Sequence, residues 1–194
     1  MDGKRTVTIR GEEFKFCCAH FVAYKGFRER LHGHNYTVEV EMAGPMSSDD
    51  GYVIDFGDVK KGIRKICKSL NERILIPIES DNLDIRITQW PASSDDESRL
   101  ITCSQSTGDE EVIENEGQVE VRFEKSAFFS FPKSDCALLP IKFSTAENLS
   151  AYIAKQLEET LRLEIAHRQI ESLTVRVFER PTQAASYTMT TVGI

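Results

Sequence analysis

The sequence lacks paired cysteines, long apolar runs and an excess of positive charge. Five cysteines occur among 194 residues, and none forms a Cys-x-x-Cys pair. In a reducing compartment we expect them to be free thiols. No apolar run approaches the roughly 18 residues of a membrane helix, and the first residues show no apolar signal core. The sequence therefore predicts a cytoplasmic protein that has no membrane partner.

The shortage of basic residues excludes another broad class. Lysine and arginine number 24 against 31 acidic residues, which gives a formal net charge of −7. A protein that binds nucleic acid non-specifically needs a basic face, so we expect no nucleic-acid partner. The length and the 40% hydrophobic content suit one domain over residues 1–194. Residues 94–117 contain eight acids and one arginine, as expected of solvated loops.

Strand patterns lie at both ends of the chain. Alternating apolar residues, or runs rich in aromatic and β-branched residues, predict strands. The predicted strands are residues 6–10, 13–22, 35–42, 173–179 and 185–191. Between them lies a segment at about 84–141 with further short strand-like runs, and we interpret it as an insertion of β-hairpins with acidic loops.

Two stretches have helical spacing instead. The first carries an apolar stripe formed by Val59, Ile63, Ile66, Leu70 and Ile74. Asp55 or Asp58 is its expected N-cap, and Pro77 its expected end. The second helix is expected to begin at Ser144, because Ser144 and Glu147 fit the S-x-x-E capping box. The predicted element order is β-β-α, insertion, α-β-β.

Three of the four histidines form a candidate metal site. His32 and His34 are two residues apart at the start of a predicted strand, so their side chains project to the same face. His20 ends the preceding predicted strand and reaches the same place if the two strands pair. Three imidazoles with an open fourth position are typical of a catalytic zinc site. The spacing alone leaves open whether these three histidines bind Zn²⁺ as the cofactor or hold no metal.

Several motifs around these histidines closely resemble one known family. The segments FKFCCAH, RLHGHNYTVEVEMAG, GYVIDFGDVKK, STAENLSAYI and VRVFE occur in the order found in 6-pyruvoyl-tetrahydropterin synthases and the related 6-carboxy-tetrahydropterin synthases. The resemblance implies an α+β tunnelling fold, β-β-α-α-β-β, in which an antiparallel sheet carries two helices on one face. It also implies a homo-oligomer, either a trimer or a hexamer of two stacked trimers.

The resemblance also implies a pterin site. Family members act on 7,8-dihydroneopterin triphosphate, whose side-chain hydroxyls bind the zinc. Glu179 matches the carboxylate that anchors the pterin ring, and a carboxylate can accept two parallel N–H bonds from it. Thr145 and Glu147 match positions near the pterin. For Glu147 this role competes with helix capping.

The sequence departs from the family at the residues that move protons. Arg28 stands where the shorter-loop relatives have the catalytic cysteine, and an arginine is no base at neutral pH. Asn71 and Glu72 replace the family's Asp-His pair. Formation of 6-pyruvoyl-tetrahydropterin is therefore expected to be slow or absent.

Three residues remain as candidate bases. Glu29 and Glu72 are the first choices, since a carboxylate with a tuned pKa can take a proton. Cys18 follows them, two residues before His20. Arg28 belongs to a basic cluster with Lys25 and Arg30 that can bind a triphosphate or a carboxylate.

Three functions remain open at this point. The first is a zinc-dependent pterin synthase-like lyase that uses a substituted base. The alternative is a non-catalytic hexamer that binds zinc and a pterin. A third is a zinc hydrolase that acts on another heterocycle.

Overall fold

The computed structural model describes residues 4–88 and 117–191. Its strands are β1 (Arg5–His20), β2 (Ala23–Tyr24), β3 (Phe27–Arg28), β4 (His32–Gly44), β5 (Arg73–Pro77), β6 (Asp84–Thr88), β7 (Gln118–Phe123), β8 (Ala127–Pro132), β9 (Cys136–Leu139), β10 (Ser172–Arg180) and β11 (Gln183–Thr190). The helices are α1 (Phe56–Leu70) and α2 (Ala146–His167), with a 3₁₀ turn at Lys133–Asp135. The strand-like run near residue 101 and most of the acidic stretch lie outside the described residues.

The chain divides into two compact units. The first comprises residues 1–18, 33–72 and 145–194, and the second comprises residues 19–32 and 73–144. The boundary between them passes through β1 and through β4, so each of these strands belongs in part to both units. That residues 84–141 are an insertion in a single domain stays a prediction.

The first unit contains a sheet with the strand order β11-β10-β4-β1. Strand β10 is antiparallel to both of its neighbours, with Val175 opposite Val40 on β4 and Tyr187 on β11. Along β10, Leu173, Val175 and Val177 are all fully buried, as the alternating sequence predicts. The expected α+β class with a mostly antiparallel sheet and two helices is confirmed.

Helix α1 begins where the sequence predicts and ends earlier. Asp55 is the N-cap, and its carboxylate accepts a hydrogen bond from the Gly57 amide. The predicted stripe holds as far as Leu70, but Ile74 lies in β5, so its place in the helix was wrong. The helix ends at Asn71, whose backbone is extended, and Glu72 then turns the chain with a left-handed backbone of φ 57°.

Helix α2 begins one residue later than the capping box predicts. Thr145 is the N-cap, and its hydroxyl accepts a hydrogen bond from the Asn148 amide. Ser144 is fully buried outside the helix and donates its hydroxyl proton to the Phe21 carbonyl instead. The two helices pack closely, since an ideal Cβ at Gly62 would lie 2.8 Å from Leu157 Cδ1.

The second unit is built from short strands. Strands β2 and β3 form a small hairpin, and β6, β7 and β8 form an antiparallel sheet. Strand β9 pairs in parallel with β5. The interpretation of this segment as β-hairpins does not predict a parallel pair. The unit has its own hydrophobic core, whose buried members are Phe21, Ala23, Ile76, Val119, Val121, Phe123 and Cys136.

Among the described residues, no helix is both long enough and apolar enough to cross a membrane.

Candidate functional site

Three histidines converge at the facing ends of β1 and β4. His20 is the last residue of β1, and His32 and His34 are the first and third residues of β4. One ring nitrogen from each lies within 4.8 Å of those of the other two. His20 is buried, and the other two are half-buried. The structure thus brings together the three residues that the sequence predicts as metal ligands.

Backbone carbonyls orient two of these rings. His20 Nδ1 lies 2.7 Å from the Ser144 carbonyl oxygen, and His32 Nδ1 lies 2.7 Å from that of Arg30. A carbonyl only accepts hydrogen bonds, so we assign the proton of each neutral ring to Nδ1. Each Nε2 then keeps its lone pair, as in histidines that bind metals.

Gly33 separates the two histidines of β4 where that strand approaches β1 closely. An ideal Cβ at this position would lie 3.3 Å from the Cys18 carbonyl oxygen, which is tight for a carbon–oxygen contact. A larger residue here would push against the β1 backbone. The glycine therefore permits the close spacing of the histidine-bearing strand ends.

The third histidine has a carboxylate beside it. His34 Nε2 lies 2.9 Å from Glu179 Oε1, near the end of β10. The Glu179 side chain is 35% exposed, so solvent also reaches this carboxylate. A carboxylate offers about four acceptor positions. The contact with His34 thus leaves Glu179 able to accept further hydrogen bonds.

The donor set fits Zn²⁺. Three neutral imidazoles are a common ligand set for catalytic zinc, which binds them at about 2.0–2.1 Å and keeps a fourth position open. Ring nitrogens within 4.8 Å of one another need only small side-chain movements to meet one ion. Two of the rings already have the outer hydrogen bonds that orient zinc ligands.

Glu29 lies in a short loop held by its own backbone. Its amide donates to the Val22 carbonyl at 2.9 Å, and its Oε2 accepts from the Val22 amide at 3.0 Å. The side chain is half-buried. The hydrogen bond fixes one carboxylate oxygen, Oε2, and thereby also limits where the other oxygen can lie. This arrangement suits a group that must take a proton from one direction.

Arg28 makes aromatic and backbone contacts. Its guanidinium carbon is 5.7 Å from the ring centre of Phe21 and 5.3 Å from that of Phe129. One guanidinium nitrogen, Nη1, donates to the Glu29 carbonyl at 2.6 Å. The predicted anion-binding role would compete with these contacts.

Asn71 and Glu72 lie between α1 and β5 and form hydrogen bonds to β1. The Asn71 side-chain oxygen accepts from the Cys17 amide at 2.9 Å, and the Glu72 amide donates to the Cys17 carbonyl at 2.6 Å. The Glu72 side chain is exposed. These contacts give both residues a structural role at a reversal of the chain.

Cys18 shares a face of β1 with His20, and both are buried. Burial, and then the neighbouring Cys17, raise the pKa of the Cys18 thiol to about 12. A thiol with this pKa is protonated at neutral pH, which disfavours it as a base.

The two predicted pterin contacts on α2 lie at its first turn. Thr145 is the N-cap, and its hydroxyl also accepts from the Asn148 side-chain amide at 3.2 Å. Glu147 is exposed one residue into the helix. A pterin contact stays a prediction for both residues.

Sequence reasoning missed two residues of this neighbourhood. The Ser144 carbonyl orients His20, and the Phe129 ring lies against Arg28. Ser144 precedes the N-cap of α2, and its sequence context predicts the start of a helix but not a contact with His20. Phe129 is one aromatic residue in an apolar strand, and the sequence offers no signal for its contact.

Comparison with known proteins agrees with the resemblance seen in the sequence. The family model described as 6-pyruvoyl tetrahydropterin synthase matches residues 9–190. A relative from Methanocaldococcus jannaschii, provisionally named a 6-carboxy-5,6,7,8-tetrahydropterin synthase, is 24% identical over 173 residues. That match covers 89% of this chain and 88% of the relative.

Solved structures give similarity over nearly the whole chain. The 6-pyruvoyl tetrahydropterin synthase of Plasmodium vivax is 35% identical, with a TM-score of 0.77, and covers 97% of this chain and 99% of its own. The Plasmodium falciparum enzyme is 34% identical with a TM-score of 0.78 and the same coverage. Two further P. vivax structures are variants in which a glutamate, named as a catalytic residue, is replaced by alanine or by cysteine.

Proposed function

The chain belongs to the 6-pyruvoyl tetrahydropterin synthase family, and on that premise we propose that it is a zinc-dependent lyase. Its proposed substrate is 7,8-dihydroneopterin triphosphate or a related dihydropterin. The observation that carries this proposal is the convergence of the ring nitrogens of His20, His32 and His34 within 4.8 Å. A carboxylate, Glu179, lies beside the third of them.

In this proposal the three histidines hold Zn²⁺. When bound, the metal would act as a Lewis acid that lowers the pKa of substrate hydroxyls at its open position. The Ser144 and Arg30 carbonyls hold the His20 and His32 rings in the tautomer that this role needs. The ligand set is thus oriented before any ion arrives.

Glu179 binds the pterin ring. The ring presents two adjacent donors, its N3–H and its 2-amino group, and a carboxylate accepts both in parallel. Such pairing fixes the orientation of the ring as well as its affinity. The half-exposed position of Glu179 leaves its carboxylate accessible to a ligand.

Glu29 takes the proton from the pterin side-chain carbon, and the bond to the leaving group then breaks. Its carboxylate is fixed through one oxygen, which accepts a hydrogen bond from the Val22 amide at 3.0 Å. A glutamate is named as catalytic in the similar P. vivax enzyme, which supports this choice. Glu72 is less suited because it is exposed at a structural turn, and Cys18 because its pKa is raised to about 12.

A turnover assay with four proteins tests the proposal. Zinc-loaded wild type, Glu29→Gln, Glu72→Gln and Cys18→Ser are incubated with 7,8-dihydroneopterin triphosphate, and pterin products and released triphosphate are followed by mass spectrometry. We expect turnover by wild type, with little or no 6-pyruvoyl-tetrahydropterin among the products, and a loss of about 10²–10⁴-fold in Glu29→Gln only. Full turnover in Glu29→Gln would contradict the assignment of the base.

The same assay tests the alternative function, a non-catalytic zinc- and pterin-binding protein. One observation favours it: Asn71, at the position of a family acid, is used in a bond to the Cys17 amide. Pterin binding without any product from wild type would support this alternative and exclude the lyase for these substrates.

We also propose, from the family resemblance, a cytoplasmic homo-oligomer that is a trimer or a hexamer. Light scattering coupled to a sizing column measures the mass directly. A monomer at micromolar concentration would contradict the proposal.

A further inference from the structure

Residues 22–29 comprise the β2–β3 hairpin and the residue on either side of it, and are here called the Glu29 loop. This segment contacts a distant part of the chain at two points. The Gly26 amide donates to Glu124 Oε1 at 3.0 Å. Arg28 lies over the ring of Phe129, with 5.3 Å between its guanidinium carbon and the ring centre. Glu124 and Phe129 both belong to the hairpin formed by β7, β8 and their turn.

The β7–β8 hairpin is well anchored. Val119, Val121 and Phe123 of β7 are at most 3% exposed, and they share a hydrophobic cluster with Phe21, just before the Glu29 loop, and with Ala23 inside it. A surface formed by such packed strands holds its attached groups in place. The hairpin therefore offers the loop a rigid support.

Arg28 connects this support to Glu29. The Phe21 and Phe129 rings are stacked with 5.2 Å between their centres, and the guanidinium lies within about 6 Å of both, the range of cation–π attraction. Its Nη1 then donates to the Glu29 carbonyl at 2.6 Å. A planar guanidinium can stack and donate in a fixed direction at once, whereas a lysine ammonium cannot.

We propose that Arg28, held by the β7–β8 hairpin through Phe129, is a positioning residue for Glu29 and not a ligand for substrate phosphate. This assigns a role to the hairpin, which supports the loop that carries the proposed base. The proposal rests on the proposed function only for the chemistry of Glu29, because the support itself is a property of the loop.

Hydrogen exchange tests the support without any turnover. We expect Arg28→Lys and Phe129→Ala to speed exchange of the Val22 and Glu29 amides about tenfold or more, since both amides close the loop. Phe128→Ala is the matched control: the neighbouring ring is 55% exposed and contacts Arg122 instead. Exchange as slow as in wild type in both test variants would overturn the proposal.

Kinetics separate positioning from phosphate binding. Positioning predicts that Arg28→Lys and Phe129→Ala lower kcat about tenfold or more, with KM for the triphosphate substrate within about twofold, because small displacements of a reacting group are costly. Phe129→Tyr, which keeps the ring face, restores kcat. A phosphate ligand predicts instead that Arg28→Ala raises KM and that Arg28→Lys, which keeps the charge, largely restores it. That second pattern would refute the proposal.

Two further readouts keep the interpretation unambiguous. Zinc content and melting temperature must match wild type in every variant used, and Arg28→Lys alone serves as the test if Phe129→Ala folds poorly. If Glu29→Gln keeps full turnover, the assignment of the base fails while the exchange result still decides on the support. If Glu29→Gln is slow but the Arg28 and Phe129 variants keep wild-type exchange and kcat, the support alone is wrong.

Discussion

Glu179 provides the sharpest test of the proposed pterin site, because it is expected to serve a ligand and a histidine together. We expect Glu179→Ala to weaken binding of a pterin such as biopterin by about one to two decades. A charge-assisted hydrogen bond contributes about 1.5–3 kcal/mol, and each 1.4 kcal/mol is about tenfold in affinity. The side chain is 35% exposed, so competition from water places the loss toward the lower end of that range.

The isosteric change Glu179→Gln sharpens the argument. A glutamine amide offers one acceptor and one donor, whereas the pterin edge presents two donors. The glutamine therefore pairs with one ring N–H and opposes the other. We expect Glu179→Gln to bind no better than Glu179→Ala, although its shape matches the wild-type side chain.

The contact between Glu179 and His34 adds a second expected effect. Removing an outer partner of a metal-binding histidine typically costs about 10- to 100-fold in metal affinity. Both Glu179 variants should keep one zinc per chain when zinc is in excess but lose it at lower chelator concentrations. Loss of the metal altogether would instead make Glu179 a ligand.

Calorimetry with pterin and titration with a chelator measure the two effects separately. Glu171→Ala is the matched control, since Glu171 is another partly exposed glutamate and forms an ion pair with Lys4 on the surface. Pterin affinity unchanged in both Glu179 variants would refute the assignment of the ring site, whatever happens to the zinc.

Three further predictions concern the metal, the fold and its pH dependence. By elemental analysis, His32→Ala should lose stoichiometric zinc, whereas a substitution of His167, at the end of α2, should not. Equal zinc content in the two variants would contradict the assignment of the metal site. Ser144→Ala should lower the free energy of unfolding in urea by about 1–3 kcal/mol, because it leaves a buried carbonyl without its donor; a loss below about 0.5 kcal/mol would contradict this. The Tyr52 amide and then Arg168 lower the pKa of Asp50, so its carboxylate stabilises the fold above the ordinary aspartate range. Asp50→Asn should therefore melt below wild type at neutral pH, with the difference vanishing as pH falls through the lowered pKa, and a difference independent of pH would refute the ion pair as its cause.

Periodicity predicted the elements whose two faces differ in environment. Strand β10 alternates buried and less buried residues, and α1 buries the side of the helix that carries Val59, Ile63, Ile66 and Leu70. In each element one face lies in the core and the other faces solvent, and this difference produces the periodic spacing of apolar residues in the sequence. The fold class followed from these elements and from the motifs shared with the family.

Element ends were harder to predict than elements. Ile74 continues the apolar spacing of α1, yet it belongs to β5, because a buried strand also selects apolar residues. The reversal between them depends on a left-handed Glu72, a residue type with no special preference for that conformation. Ser144 and Thr145 are both good caps, and only the burial of Ser144 decides between them.

The histidines were predictable for a simple reason. His32 and His34 are close in sequence on one strand, and His20 ends the strand that the sequence places just before it. Convergence here requires only alternation along strands and one pairing. Their outer hydrogen bonds were not predictable, since the Ser144 carbonyl comes from a segment 124 residues away from His20.

Arg28 shows where sequence reasoning about charge stops. A cationic residue beside a candidate metal site suggests an anionic ligand. The sequence shows the charge of such a residue but not the side chains that surround it. Its actual surroundings include Phe129, on a strand about one hundred residues further along the chain, and the carbonyl of the next residue. A guanidinium that already stacks on rings and donates to the backbone would have to give up those contacts to reach a phosphate. The role of such a residue is therefore decided by long-range packing, and the exchange rates of the Val22 and Glu29 amides report on that packing directly.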